Sequence, residues 1–473
     1  MSFINLKIIM RHELILISSL IILGCQPKKI ESLNLLDCVP QNTIAVLQIN
    51  DKNMLDNTLT NLPFIEEILK LKPTFLENIK SIIPQRFSQN SLLCITKEGK
   101  DALATSFISK NSLKDTLFKK KHDQNLYNSV SIEIEKVGNT KVFYSKIENI
   151  EIRSSSQLVL ENSIRNIISR KKGIQDSEFY KLASVSDYNA PLNMFLHHDI
   201  NDLMKSLFPK TILFPFIGNN WFSFDFNTKK DPFTLDGISI INDSIPEKIM
   251  ILKGIETKSL ISPNYVPQNF DAFLALAITD YKVLEDNFKI YSRYKNIALK
   301  EIDFSFLSVV DEIAWLRSKS NRAFYFHLSN SEIIPSTLFS DHQAEDDFRG
   351  VKIYKQTLPP DLIVFLETFG PDIESTQVSK IDDFLIFASN KSFLKQLISN
   401  HLDDNTLINN LNFKRLQEDL ADKSSLLWIG NTENLKDQWI GNSSEKHKIW
   451  QKIESGKYPL ITLQSISEET FIQ

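Results

Sequence analysis

Glycine is scarce in this chain, at 12 residues in 473, well under the ~7% of an average protein. No two stand at G-x-G spacing, which excludes the loops whose backbone amides close around a phosphate. Charge of one sign is missing too. Lys and Arg total 54 against 58 Asp and Glu, a formal net charge of −4, so there is no basic field for nucleic acid. Cysteine is limited to Cys25, Cys38 and Cys94, too few for a disulfide scaffold or a cysteine-built metal site. After residue 23 no apolar run approaches the ~20 residues of a membrane helix. Neither a G-x-S-x-G elbow nor an H-E-x-x-H pair occurs, two common signatures of hydrolytic chemistry.

What is present is ordinary globular material. Hydrophobic residues make up 42% and charged residues 24%, close to average. The 32 phenylalanines supply large core side chains. Abundant Ile, Lys, Asn and Phe beside low glycine is a bias that an AT-rich coding sequence produces without functional cause. The length suits about two to three domains.

The N-terminus carries the most specific motif. Lys7 and Arg11 precede an apolar run over residues 14–23, which ends in Ile22-Leu23-Gly24-Cys25. A basic start, a short apolar segment and a small residue before the cut make a secretory signal peptide. With a cysteine directly after Gly24, the segment resembles a bacterial lipoprotein signal with its lipobox. The run is too short to span a bilayer, which argues against an uncleaved membrane helix. A start at Met10 would leave a compact signal of 15 residues before Cys25. Glu13 departs from the basic pattern.

The resemblance implies cleavage after residue 24, lipid on Cys25, and membrane attachment through that lipid. Gln26 stands where an aspartate would signal inner-membrane retention in some bacteria, so the resemblance points to the outer membrane. Loss of Lys7, Arg11 and Glu13, two cations and one anion, takes the net charge from −4 to −5. Residues 25–36 then form a tether reaching about 40 Å at full extension.

The body reads as a duplication. Val39-Pro40-Gln41-Asn42 recurs as Val266-Pro267-Gln268-Asn269, each ahead of an apolar strand-like run. Phe75-Leu76 pairs with Phe306-Leu307, Asn90 with Asn321, and Ser145-Lys146-Ile147 with Ser379-Lys380-Ile381. Ile152, Ser155, Leu160 and Ile164 match Ile386, Ser389, Leu394 and Ile398 without a gap, and Phe179 and Leu182 match Phe413 and Leu416. Ordered self-similarity of this kind marks a structural repeat.

Strands are expected near 44–49, 90–97, 102–108, 130–136, 141–146, 149–154 and 193–198. Helices are expected near 52–61, 64–71, 74–83, 111–119 and 156–169. The turn Val137-Gly138-Asn139-Thr140 between two strands predicts a hairpin and an antiparallel sheet. The expected fold class is therefore α+β, two tandem domains that are internal duplicates, each a mainly antiparallel sheet with helices packed on one face. Copy one takes residues 37–255 and copy two 262–473, with a mostly polar link that includes Pro263. The second copy lacks a counterpart to the closing strand at 234–241, so either the chain is a fragment or another segment completes its sheet. The whole chain resembles uncharacterised bacterial lipoproteins with duplicated α+β domains, on its lipobox and its V-P-x-N strand openings.

Few residues invite a chemical role. Asp51 and Asp280 lie between strand and helix, where Asp caps helices. Cys38 and Cys94 align with Tyr265 and Tyr325; an oxidising compartment would permit a bridge between the two cysteines, but two free buried thiols is the favoured reading, since sequence does not fix pairing. His197-His198 precedes Asp199, but neighbours on a strand point to opposite faces, so no metal role is assigned. Residues 341–347 are densely acidic without the EF-hand pattern, which reads as a solvated loop. Ser392 and Lys395 have S-x-x-K spacing on a helix that copy one shares.

Residues 207–222 are aromatic and broken by Pro209 and Pro215. Phe208, Phe214, Phe216, Trp221 and Phe222 form either a partner surface or irregular core. No catalytic, cofactor or metal residue is assigned. The expected role is a non-enzymatic envelope lipoprotein, a scaffold or accessory subunit with the membrane and an envelope protein as partners. The alternative is capture of a glycan, peptide or lipid between the domains, and a hydrolase ranks third.

Overall fold

A computed structural model of the chain describes residues 34–53, 72–84, 87, 89–100, 102–110, 123–200, 221–227, 234–241, 244, 246–297, 304–330, 344–369, 376–434, 443–454, 460–465 and 471–472. Of the expected helix at 52–61 only Lys52 and Asn53 are described, and both are helical; the expected helices at 64–71 and 111–119, together with Cys25, Phe208, Phe214 and Phe216, lie outside the described residues.

The chain forms two antiparallel sheets. The first copy supplies β1 (Thr43–Ile49), β2 (Ser91–Glu98), β3 (Ala102–Lys110), β4 (Asp123–Tyr127), β5 (Val130–Val137), β6 (Thr140–Ile147), β7 (Ile150–Ser154), β8 (Leu192–His197), β9 (Trp221–Asn227) and β10 (Thr234–Ile240). The second supplies β11 (Ala272–Ala277), β12 (Val310–Ser318), β13 (Asn321–Leu328), β14 (Asp346–Phe348), β15 (Val351–Lys355), β16 (Gln377–Ile381), β17 (Phe384–Ala388), β18 (Leu426–Asn431) and β19 (Leu460–Ser465). A last short strand, β20 (Phe471–Ile472), follows.

The first sheet runs β20-β10-β9-β8-β1-β2-β3-β7-β6-β5-β4, and the second β14-β15-β16-β17-β13-β12-β11-β18-β19. Read from the opposite edge, the second order repeats the first strand for strand from β9 to β4. The fold is thus α+β in two similar domains. The turn between β5 and β6 has Gly138 at φ 58°, and the β4–β5 turn places Asn128 and Ser129 at φ 48° and 66°. Such positive-φ residues let a two-residue turn follow the strand twist.

Helices connect the strands. Among the described residues the helices of seven residues or more are α1 (Pro73–Ile82), α2 (Gln157–Ser169), α3 (Ser177–Val185), α4 (Tyr281–Tyr294), α5 (Pro360–Glu367), α6 (Lys391–Leu402), α7 (Leu411–Gln417) and α8 (Ser444–Glu454). The duplication reaches down to their caps. Ser156 starts α2 by accepting from the Val159 amide, and Asn390 starts α6 through the Phe393 amide. Asp176 and Asn410 do the same for α3 and α7. Ser145 donates its hydroxyl to the Ser131 carbonyl across β5–β6, and Ser379 donates to Lys352 in the equivalent place, both at 3.0 Å. Asp280 caps α4 by accepting from the Lys282 and Val283 amides.

Each sheet is covered on both faces, not on one. In the first domain, Val46, Cys94, Ile108, Ile152 and Phe195 meet Leu160 and Ile164 of α2 and Phe179 and Leu182 of α3. On the other face, Ile49, Leu93, Phe107 and Phe226 meet Ile82 of α1. The second domain repeats this, with Phe273, Leu316, Tyr325 and Ile429 against α6 and α7. Its reverse face packs Leu274, Leu276, Phe324 and Phe387 against α4 and α5. Strand β11 carries the reason: Ala-Phe-Leu-Ala-Leu-Ala is apolar and buried at every position, the mark of a strand covered on both sides.

Two expectations shift. The 3-10 turn Lys248–Leu252 and Ile255 belong to the same core as α4, so the end of copy one as drawn from sequence packs with the second domain. The strand register also corrects the repeat alignment. Cys94 pairs with Val46 in β1, and Leu316 pairs with Phe273 in β11. The counterpart of Cys94 is therefore Leu316 rather than Tyr325. Asn321 opens β13, the counterpart of β3, and does not match Asn90 ahead of β2.

Candidate functional site: a cleft with two histidines and an aspartate

One end of the first sheet opens into a cleft of about 500 Å³. Thr43 and Ile44 open β1, His197 closes β8 and Trp221 opens β9, so three adjacent strands contribute their ends. Residues 173–176, between α2 and α3, form another wall. Lys97 and Gly99 come from the β2–β3 hairpin. That hairpin is longer than its duplicate. The pairs Lys97↔Leu103 and Glu98↔Ala102 continue past the level at which the second domain turns back, at Ser318↔Asn321.

His197 lies opposite Trp221 in the β8–β9 register. The Trp221 ring is nearly buried, 4.9 Å from Phe179 and 5.1 Å from His197 between ring centres. Trp221 and Phe222 are therefore core residues of β9, at 2% and 7% exposure, not part of a partner surface.

The strand stops at His197, and His198 and Asp199 lie in a turn. The alternation that would separate the two imidazoles no longer applies. Their rings lie 4.0 Å apart, with Nδ1 of His198 3.0 Å from Nε2 of His197. Asp199 places Oδ1 3.1 Å from His198 Nε2 and Oδ2 3.6 Å from His197 Nδ1. Lys97 reaches Asp199 Oδ2 at 3.2 Å. Burial pushes the His197 imidazole down to about 4; His198 and Lys97 push the same way, and Asp199 and Asp176 pull back. His197 is thus neutral near pH 7, with a nitrogen lone pair to offer. The sequence contained the H-H-D string. It gave no sign that Lys97 and Asp176 would face it.

Other candidates resolve into structure. Cys38 and Cys94 are free and buried in one core, so the bridge is not formed. Burial pushes the Cys38 thiol up to about 12 and Cys94 higher still. Among the described acidic residues of 341–347, Glu345 and Asp346 pair with Lys391 and Lys395 at 3.3 and 2.8 Å. That also occupies the lysine of the S-x-x-K spacing. In the second domain Asp382 accepts from Tyr265 at 3.1 Å and lies 3.1 Å from His401 Nε2, with the two rings stacked at 4.4 Å. No described hydroxyl or thiol nucleophile other than that tyrosine takes part in this cluster.

No protein-family model matches the chain, and no curated protein matches it. Among solved structures, that of TP0453 in its crystal form I aligns over 78% of this chain and 98% of its own, at 7% identity and a TM-score of 0.25. A likeness that shallow carries no argument about fold or function.

Proposed function

We propose that the chain is a lipid-anchored protein of the bacterial envelope, held through lipid on Cys25, whose two sheet domains serve as a non-enzymatic scaffold or accessory subunit. The observation that carries this reading is the N-terminal string itself: a basic start, a short apolar run and Gly24-Cys25. A further observation agrees with the scaffold role: several buried or half-buried carboxylates are already engaged in the fold, with Glu312 on the amides of Ile261 and Ser262, and Asp271 on Arg317 and the Lys319 amide. An anchor of this kind draws about 0.8 kcal/mol from each buried CH₂ and needs more than one chain to be stable.

A second reading, capture of a small polar ligand, is favoured by the cleft. It lies within the first domain rather than between the domains, and its lining mixes Lys97, Asp176 and His197 with Trp221. Such mixed concave sites are where ligands bind.

Growth with an alkyne fatty acid, followed by membrane fractionation, tests the anchor. The wild-type chain is expected to be labelled and sedimented. Cys25→Ser is expected to lose the label and appear in the soluble fraction, and unchanged labelling of that variant would sink the reading. Antibody capture from gently solubilised membranes then separates the two roles. A stoichiometric envelope protein supports the scaffold, and recovery of the chain alone supports ligand capture.

A further inference from the structure

We propose that His197, His198 and Asp199 form a binding site for a divalent transition-metal ion, of which Zn²⁺ is the representative, at the rim of the first-domain cleft.

Three independent observations converge on it. The first is geometry. With one ligand atom from each residue, the three donors lie within 4.8 Å of one another. Zinc bonds of about 2.0–2.2 Å to nitrogen and oxygen set ligand atoms ~3.3 Å apart around a tetrahedron. The rings touch through His197 Nε2 and His198 Nδ1, whereas Asp199 sits on their opposite nitrogens, His197 Nδ1 and His198 Nε2, so an ion would gather one nitrogen of each ring and one carboxylate oxygen by turning the side chains. Each imidazole gives one nitrogen, and the carboxylate has two oxygens. Asp199 can thus bind through one and keep the other on Lys97.

The second is donor chemistry. Two imidazoles and one carboxylate suit zinc and its first-row neighbours, and disfavour calcium and magnesium, which take oxygen ligands. Three protein ligands leave a fourth position, and the cleft lies beside it. An ion held there would present a Lewis-acidic contact to an anionic or carbonyl group entering the cleft.

The third is an internal comparison. Strand β18 is the duplicate of β8, and the residues at the equivalent strand end are Asn431, Thr432 and Glu433. There the strand leads straight into helical backbone at 432–434, and Asn431 caps it by accepting from the amides of Glu433 and Asn434. The fold therefore builds this corner without imidazoles, and the two histidines are not required by the strand or its turn. The longer β2–β3 hairpin, which carries Lys97 and walls the cleft, is also confined to the copy that has the histidines.

The site stands independently of the lipid anchor, and its test does not depend on membrane attachment. The full chain, without a polyhistidine tag, is purified in detergent, stripped with a chelator, and titrated with Zn²⁺ by calorimetry and with Co²⁺ by visible absorption. One ion per chain is expected, with the intense visible bands of tetrahedral cobalt. His198→Ala and Asp199→Asn alter half-exposed side chains and are expected to weaken binding at least ~10-fold each. His197→Ala is less informative, because that ring packs on Trp221 and its loss disturbs the core. The melting temperature of each stripped variant should equal that of the stripped wild type, which separates ligand loss from unfolding. His401→Ala, in the second domain, should leave the affinity unchanged. Absence of saturable Zn²⁺ binding, or binding that survives the His198→Ala, Asp199→Asn double variant, overturns the proposal. So does loss of binding on His401→Ala alone.

Discussion

Glu312 shows what a single buried charge does in this molecule. It is fully buried in β12, yet its two oxygens accept from the amides of Ile261 and Ser262, at 2.7 and 2.9 Å, in the segment leading into the second domain. A buried carboxylate is tolerated when donors saturate it. Glu312→Ala would leave two amides without that partner, and the expected loss is about 2–4 kcal/mol by urea denaturation. The pH dependence has a definite sign. Burial pushes the Glu312 carboxyl above its ordinary 4.5, against the pull of the Ile261 and Ser262 amides. The folded chain then holds that proton more tightly than the unfolded one, so stability falls as pH rises from 4.5 through the raised value. The penalty of Glu312→Ala should be larger near pH 4.5 than at neutral pH, and a penalty independent of pH would refute this account. Cys38 and Cys94 share a core as expected of neighbours, and both are the free buried thiols that the sequence favours, kept protonated by burial.

Among elements, strands and caps were legible because their signals are local. The turn at Gly138, the strands expected near 44–49, 90–97, 102–108, 130–136, 141–146, 149–154 and 193–198, and the match of Ser155 with Ser389 all recur in the structure, while β4 was not foreseen. Ser155 and Ser389 donate backbone amides to Thr105 and Arg322, which are equivalent in register. The repeat alignment failed between β1 and β3 because copy one is longer in two successive connections. Val46 to Cys94 spans 48 positions against 43 for Phe273 to Leu316, and the β2–β3 hairpin is longer than β12–β13, so the offset falls where a rising one was read. Helix α3 was flagged only by Phe179 and Leu182. Its cap, Asp176, became visible with the cleft it lines. The H-H-D string was discounted on strand alternation, which stops one residue too early to apply. Gly173 offers a test of how the cleft wall is held. A Cβ there would meet the Val39 carbonyl oxygen at 1.7 Å and Asn166 Nδ2 at 2.5 Å, and backbone cannot swing aside. Gly173→Ala is expected to cost about 1–3 kcal/mol. It should also break the 3.3 Å bond from Asn166 to Val39. A melting temperature equal to wild type would show that the α2–α3 connection is free to move.

Across the whole molecule the two copies are interlocked rather than strung in line. Ile249, Ile251 and Ile255 cross from the first copy into the core around α4. In return β20 leaves the second copy and pairs with β10, Ser239 opposite Ile472 and Ile240 opposite Phe471. Among the described residues the second sheet has no strand beyond β19; β20 stands at that position in the sequence and pairs into the other sheet. Removal of residues 471–473 should leave the second sheet intact and uncover the β10 edge, whose unpaired backbone groups recruit other strands. Increased self-association by light scattering, with unchanged secondary structure, is the expected result. The same exchange bears on how the chain matures. During synthesis the first domain leaves the ribosome long before residue 472 exists, so its β10 border waits unpaired by β20 until Phe471 and Ile472 arrive. The first sheet to emerge thus depends on a strand made about 230 residues after β10, and any factor that shields the waiting edge would have to stay until that strand is made.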